Sequence, residues 1–367
     1  MALCSPAATR ATTTSDSDPS KPPKPPKPHH RANGFQNNHV DFEPKGILKL
    51  LQWKADAARQ GLPKAPLLPT PVVTPDLAFI RANAVAGAAM QPAITWIGHA
   101  SVLAQFGGLN VITDPIFSER ASPVSFLGPK RAQPSGLALA ELPRIDIVVV
   151  SHNHYDHCDE ASLRALNAQA GGPPLFIVPL GVKAWLADAG ISNAVELDWW
   201  QSRRVDTVGG AVDVVLTPVQ HWSGRSLGDR LQTLWGGYAI FAVDFHLYYG
   251  GDTGYSADFA ETKKRFAERQ RTGGGFDIAL LPIGGYEPRW FMRDQHLNPA
   301  EAVLAHRDLG AKRSLGVHWG TFELTDESLD EPPRALAAAL KEQGIGADIF
   351  TVVAIGQTLK LPRRAAP

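Results

Sequence analysis

The stretch that most constrains this chain is Ser151-His152-Asn153-His154-Tyr155-Asp156-His157, which directly follows the apolar run Ile145-Asp146-Ile147-Val148-Val149-Val150. A continuous run of that kind reads as a strand buried on both faces. Residues two apart in extended backbone point the same way, so His152 and His154 can converge on one point. Asp156 and His157 come after a turn and can face a second point close by. Four ligand-type side chains within six residues at the end of a buried strand cannot simply be packed away, because buried imidazoles and carboxylates without partners are costly. The fold must bring further partners to that strand end, and a metal site is the chemistry that fits.

Candidate partners stand at other strand ends. Pro218-Val219-Gln220-His221-Trp222 follows the strand-like run 211–216, Gly250-Gly251-Asp252-Thr253-Gly254 follows 246–249, and Gly316-Val317-His318-Trp319-Gly320 follows another short apolar stretch. Glycines beside Asp252 and His318 let backbone approach closely. Each word is weak alone, since a lone His or Asp at a strand end usually just faces water. In this order, behind His-x-His-x-Asp-His, they form a set. Imidazole and carboxylate donors suit zinc, and donor type alone leaves iron and manganese open.

The rest of the chain frames that set. Residues 1–34 contain Lys21-Pro22-Pro23-Lys24-Pro25-Pro26-Lys27-Pro28, which favours extended polyproline II and reads as a disordered, solvated tail. Residues 35–92 form an N-terminal extension. Within it Ile47, Leu48, Leu50 and Leu51 interleave with Lys45, Lys49 and Lys54 around Trp53, a short basic amphipathic helix over 45–54. Such a helix either packs on the main domain or rests on a membrane surface. Strands are expected at 94–97, 101–106, 110–113, 145–150, 174–179, 211–216, 237–243, 276–282 and 349–354, and helices near 159–168, 181–189, 256–271, 299–309 and 332–343. Hairpins first and alternation afterwards predict two sheets with helices outside, over residues 93–360.

Composition narrows the partners. The chain has 36 Lys plus Arg against 36 Asp plus Glu, so it lacks the basic excess of a nucleic-acid binder. That balance hides an asymmetry: residues 1–92 carry 11 basic and 6 acidic side chains, residues 93–367 carry 25 and 30. The positive extension favours an anionic membrane surface. Two Cys cannot make a disulfide framework, and Cys158 reads as a packed apolar residue. No run approaches the ~18 apolar residues of a spanning helix, and the start lacks a secretory pattern. The expectation is a cytoplasmic protein with peripheral membrane contact at most.

The ordered set His152-x-His154-x-Asp156-His157, His221, Asp252 and His318 resembles the metallo-β-lactamase superfamily over about residues 93–360. The resemblance implies an αββα sandwich of the α/β (α+β) class with a two-metal site at one edge. It places His152, His154 and His221 on one metal, Asp156, His157 and His318 on the other, and Asp252 between them, with two Zn2+ per chain. Longer words narrow it. Ser151–His157, Gln220-His221-Trp222, Gly251-Asp252-Thr253-Gly254-Tyr255, Glu287-Pro288-Arg289-Trp290-Phe291-Met292, Val317-His318-Trp319-Gly320-Thr321-Phe322 and Thr113-Asp114-Pro115-Ile116-Phe117-Ser118 resemble the N-acyl-phosphatidylethanolamine-hydrolysing phospholipase D family.

That family implies zinc-dependent phosphodiester hydrolysis, in which a hydroxide between the metals attacks phosphorus and releases phosphatidic acid and an N-acylethanolamine. It also implies a homodimer. His296 matches a position near the substrate phosphate and would orient the diester or protonate the leaving alkoxide; Tyr155 matches a second substrate contact. Asp114 reads as the partner of a ligand His or of the shared water, against a plain Asp-Pro turn. His99 stands equally between such a role and a structural one. The expected catalytic residues are thus Asp156, Asp252, His296 and Asp114. The rival activities keep the site and change the substrate, to a lactone or a soluble phosphodiester. A lipid substrate predicts an apolar channel beside the metals and a docking face, for which the 45–54 helix and Trp199-Trp200 are candidates.

Overall fold

A computed structural model of the chain describes residues 27–364. The described chain opens with a small hairpin, β1 (His30–Arg31) and β2 (Gly34–Phe35), then helices α1 (Ile47–Gln60) and α2 (Leu77–Ala84). The first sheet is built from β3 (Ala93–Gly98), β4 (Ser101–Phe106), β5 (Leu109–Thr113), β6 (Ile147–Val149), β7 (Leu175–Pro179) and β8 (Ala194–Leu197), with α3 (Glu160–Asn167) and α4 (Val182–Asp188) between its later strands. The second sheet is built from β9 (Ser202–Thr207), β10 (Gly210–Thr217), β11 (Gly237–Phe241), β12 (His246–Tyr249), β13 (Ile278–Pro282), β14 (Ser314–Val317) and β15 (Phe350–Thr351). Helices α5 (Asp258–Arg265), α6 (Arg289–Met292), α7 (Pro299–Leu309) and α8 (Glu331–Gln343) accompany it. A last strand, β16 (Thr358–Lys360), returns to pair antiparallel with β3 and completes the first sheet.

The two sheets share one plan. Strands β3 to β5 and β9 to β12 run as antiparallel meanders, and each meander continues as parallel strands linked through helices or long loops. Period-two patterning decides which face meets which layer. Ile147 and Val149 of β6 join the core between the sheets with Trp96, Val111 and Tyr238, while Val148 and Val150 face the helix layer with Leu163, Leu166 and Leu186. Each such side chain, fully withdrawn from water, contributes roughly 1.5–3 kcal/mol. The architecture is the expected αββα sandwich. Helix α7 has its expected bounds because Asn298 caps the Glu301 N–H, Pro299 opens the first turn, and Gly310 closes it in the left-handed conformation.

The structure departs from the sequence expectation in several elements. Strands β8, β9 and β16 and helix α2 were not expected; β9 reads Ser-Arg-Arg-Val-Asp-Thr, a charged sheet-edge strand without an apolar run. The expected helix 256–271 ends at Arg265. Helix α1 runs beyond 54 to Gln60, and it both packs and faces water. Trp53 and Ala57 bury against Phe291 and Met292, while Ile47, Leu48 and Leu51 stay exposed.

The expected disordered tail fails at its end. Residues 1–26 lie outside the described residues, but Lys27, His29 and His30 all reach the buried carboxylate of Asp198, at 2.9, 2.7 and 2.9 Å. Trp199 is no docking residue either: it is buried, stacked on His29 with ring centroids 4.3 Å apart, and its indole N–H donates to Trp235 O. No helix among the described residues is long and apolar enough to cross a membrane.

Candidate metal centre

The sandwich brings strand ends together, and the side chains singled out in the sequence gather there. His99 sits in the β3–β4 turn, Asp114 follows β5, and the His152–His157 segment follows β6. His221 follows β10, Asp252 follows β12, His296 precedes α7, and His318 follows β14. Loops beyond the carboxyl ends of strands are where such sheets place ligands. Local backbone is forced to fit: His99, Asp114 and His318 adopt φ of 54°, 33° and 61° without being glycine. Gly251, at φ 59°, has no room for a side chain, since a Cβ would lie 2.6 Å from that of Ser151. Its absence lets the Asp252 loop settle on the His152 loop.

Metal-ligating atoms cluster in overlapping groups: His152, His154 and His221; His99, Asp156, His157 and His318; and His221, Asp252 and His296. His152 Nε2 lies 2.8 Å from His154 Nδ1, and His221 Nε2 lies 3.4 Å from that same nitrogen. The Asp252 carboxylate stands between the groups. Its Oδ2 is 3.1 Å from His157 Nε2 and 3.9 Å from His221 Nε2, and its Oδ1 is 3.2 Å from His318 Nε2. Asp156 Oδ2 lies 3.3 Å from His157 Nε2 and 3.5 Å from His318 Nε2. The structure thus joins all seven expected ligand residues.

The surrounding residues fix which nitrogen faces inward. His157 Nδ1 donates to Asp114 Oδ2 at 2.6 Å, and His221 Nδ1 donates to the Gln295 carbonyl at 2.8 Å. Both rings therefore turn Nε2 toward the cluster. Asp114 is fully buried and also accepts from the Ser151 N–H at 2.6 Å and the Tyr249 hydroxyl at 2.5 Å. Burial and the Asp114 charge hold the Tyr249 phenol well above its usual pKa, which keeps it a donor. His99 Nε2 reaches Asp156 Oδ2 at 2.9 Å, so His99 touches a candidate ligand rather than standing apart. Tyr249, Gln295 and Asn37, which brackets the His221 backbone, escaped the sequence reading, because single contacts to backbone or to a remote Asp carry no pattern. Cys158 is buried, with its thiol pushed up to about 12 by that burial, and behaves as packing.

Electrostatics show what the cluster demands. Burial alone would raise Asp156 and Asp252, yet His157 and the imidazoles around them hold both carboxyls well below the usual range. Burial pushes His157 and His318 down, but Asp252 and Asp156 outweigh it, lifting His157 well above its usual value and His318 to about 9. Burial dominates at His154 and His221, lowered to about 3 and about 4, and at His152. The carboxylates thus draw positive charge between themselves and neutral imidazoles. Divalent cations satisfy the same demand. His157 Nε2, His318 Nε2 and Asp252 Oδ1 are buried without hydrogen-bond partners, as donor atoms for a cation would be. The residues fit a metal centre.

A cavity of about 360 Å³ opens onto this cluster. Its walls are largely apolar, from Leu50, Trp53, Trp222, Phe291, Met292 and Leu324, and Lys45 and Arg230 add positive charge. His296 and Tyr155 both line it. His296 Nδ1 is buried without a hydrogen-bond partner, 3.9 Å from Asp252 Oδ2. Gly285 leaves its room: a Cβ there would come within 3.2 Å of His296 Nδ1 and of His318 Cε1. Tyr155 lies under the Arg225 guanidinium at 3.9 Å, and its hydroxyl donates to Arg225 O at 3.1 Å.

Known proteins resemble this chain. A family model described as Beta-lactamase superfamily domain matches residues 109–319. An uncharacterized Mycobacterium tuberculosis protein is 39% identical over 303 residues, covering 81% of this chain and 75% of its own. The N-acyl-phosphatidylethanolamine-hydrolyzing phospholipase D 1 of Caenorhabditis elegans is 42% identical over 248 residues, covering 65% of this chain and 67% of its own. Among solved structures, an isothiocyanate hydrolase from Delia radicum gut bacteria superposes with a TM-score of 0.55 at 21% identity, covering 74% of this chain and 99% of that one, which shows the shared fold.

Proposed function

The chain belongs to the metallo-β-lactamase superfamily, and from that premise we propose that it is a two-zinc phosphodiesterase that hydrolyses N-acylated phosphatidylethanolamine to phosphatidic acid and an N-acylethanolamine. The observation that carries this reading is the apolar channel beside the His/Asp cluster, walled by Leu50, Trp53, Trp222, Phe291, Met292 and Leu324. Long acyl chains need such walls next to a phosphate site, whereas a small polar lactone or diester does not. The nematode relative, named for this activity, supports the same substrate class.

His152, His154 and His221 would hold one zinc, Asp156, His157 and His318 the other, with Asp252 shared. When bound, such a metal pair lowers the pKa of water and neutralises charge on phosphoryl oxygens. The chain's own residues prepare that chemistry. Asp114 and the Gln295 carbonyl hold the Nδ1 protons of His157 and His221, which frees both Nε2 lone pairs. His296, which lines the cavity and is held neutral by burial, would hydrogen-bond and orient the diester. Lys45 and Arg230 would attract the anionic headgroup. Exposed Ile47, Leu48 and Leu51 on α1, with Trp290 nearby in sequence to the channel wall and Lys49 and Lys54 beside them, would seat the channel on an anionic bilayer.

The test is turnover of N-acyl-phosphatidylethanolamine in mixed micelles, with and without a chelator. Zinc-dependent release of N-acylethanolamine is expected. Full activity after metal removal would sink the metal centre, and brisk turnover of a soluble lactone or diester with none of the lipid would sink the substrate.

A further inference from the structure

Residues 27–39 cross the molecule as a strap, and the strap touches the metal centre at one residue. Asn37 is buried, and its carboxamide grips the backbone of His221 on both sides. The His221 N–H donates to Asn37 Oδ1 at 3.0 Å, and Asn37 Nδ2 donates to the His221 carbonyl at 2.9 Å. The Trp235 indole N–H also donates to Asn37 Oδ1, at 3.1 Å, which fixes the amide orientation. His221 lies past the end of β10, beyond the ladder with β11, so a side chain here replaces the missing strand partner.

The strap is anchored on both sides of Asn37. Upstream, Lys27, His29 and His30 converge on Asp198, between β8 and β9, and the Phe35 N–H donates to Leu231 O at 2.9 Å. Downstream, Asn38 Nδ2 donates to Asp258 Oδ1 at 2.9 Å, and His39 Nε2 lies 3.3 Å from both Asp258 Oδ1 and Glu261 Oε1 on α5. One anchor follows the first sheet and the other opens a helix of the second. The segment between them passes His221 with contacts on both sides of Asn37.

We propose that Asn37 is a positioning residue for the metal bound by His152, His154 and His221, and that the Asp198 anchor supports it through the strap. The proposal rests on the two-metal reading above. The side chain of Asn37 touches no ligand atom; it sets the His221 backbone, while Gln295 sets the ring. Residues that orient a ligand typically govern metal affinity by about 10- to 100-fold when removed.

The test is zinc titration of the full chain against a chromophoric chelator, with the cobalt(II) visible spectrum as a second readout. Wild-type protein should take up two equivalents. Asn37→Ala should weaken one equivalent by about 10- to 100-fold and leave the other unchanged, and the cobalt bands of the weakened site should shift. Asp198→Asn, remote from the cluster, should weaken the same equivalent by a smaller factor. A merely structural role would lower the urea midpoint without separating the two equivalents. Two wild-type affinities in folded Asn37→Ala, or in Asp198→Asn if the first variant does not fold, overturn the proposal and leave the metal centre standing. Wild-type protein that takes up no zinc overturns the metal centre itself, and the proposal with it.

Discussion

Replacing Asp114 with Asn changes one atom in a fully buried site and should be felt at the metal. The native carboxylate accepts from the Ser151 N–H, the Ser151 and Tyr249 hydroxyls and His157 Nδ1. An Asn carboxamide can keep its Oδ1 toward the Ser151 N–H, but its Nδ2 then faces three donors. The two hydroxyls can rotate to accept. His157 cannot keep its Nδ1 proton against an N–H, so the tautomer moves to Nε2–H, and that proton occupies the lone pair the metal needs. Loss of such a partner weakens metal affinity by about 10- to 100-fold, which is about 1.4–2.8 kcal/mol at 1.4 kcal/mol per decade. The metal-free fold should also lose about 1.5–3 kcal/mol, one hydrogen bond to a charged group. Competition against a chelator reads the first quantity and urea unfolding of chelated protein the second. Activity lost at limiting zinc should return with excess zinc. If Asp114→Asn binds zinc as tightly as wild type, the tautomer argument is wrong.

Four further outcomes follow from the same geometry. Zinc affinity should rise with pH up to about 9, because His157 and His318 hold protons that the metal must displace; calorimetry in buffers of different ionisation enthalpy should count their release, and pH-independent binding would contradict the assignment. Without metal the sign reverses: these raised His pKa values contribute stability that is complete below the unfolded value of about 6.5 and fades as pH rises toward 9, so urea midpoints of chelated protein should fall over that window. His296→Ala should keep two zinc ions per chain and lose kcat by about 10²-fold; a variant with unchanged turnover removes His296 from the reaction. Leu48→Asp with Leu51→Asp should lower affinity for anionic vesicles by at least about 10-fold, given roughly 1.5–3 kcal/mol per buried leucine, with soluble-substrate turnover and unfolding midpoint unchanged; equal vesicle binding would move the docking face elsewhere.

Much of the centre is legible in the sequence because its ligands lie in a fixed order at strand ends. The alternation that puts His152 and His154 on one side is a property of extended backbone, and in the structure their ring nitrogens stand 2.8 Å apart. The buried strand before them is equally plain, since every residue of Ile147–Val149 is apolar. What the sequence hides are contacts between single residues far apart in the chain. Nothing around Asn37 announces that it will hold His221, 184 positions away. His29 and His30 look solvated beside a proline run, because the carboxylate that captures them stands at Asp198. Trp199 looks like a surface aromatic for the same reason: the imidazole that covers it comes from the strap. Edge strands β9 and β16 also stay hidden, since one is charged and the other has only three residues.

The placement of β16 carries a consequence for how the protein comes into being. Strand β3, which leads into the turn holding His99, has β4 on one side and β16 on the other, and β16 is formed by residues 358–360. The cluster likewise draws His318 from the loop after β14 and Asp252 from the loop after β12. On the ribosome, the His152–His157 segment therefore emerges long before the side chains that complete its cage. Metal captured at that stage would meet only part of the donor set. The full donor set therefore exists only once the chain beyond β14 has been made, and the first sheet closes only when β16 pairs with β3.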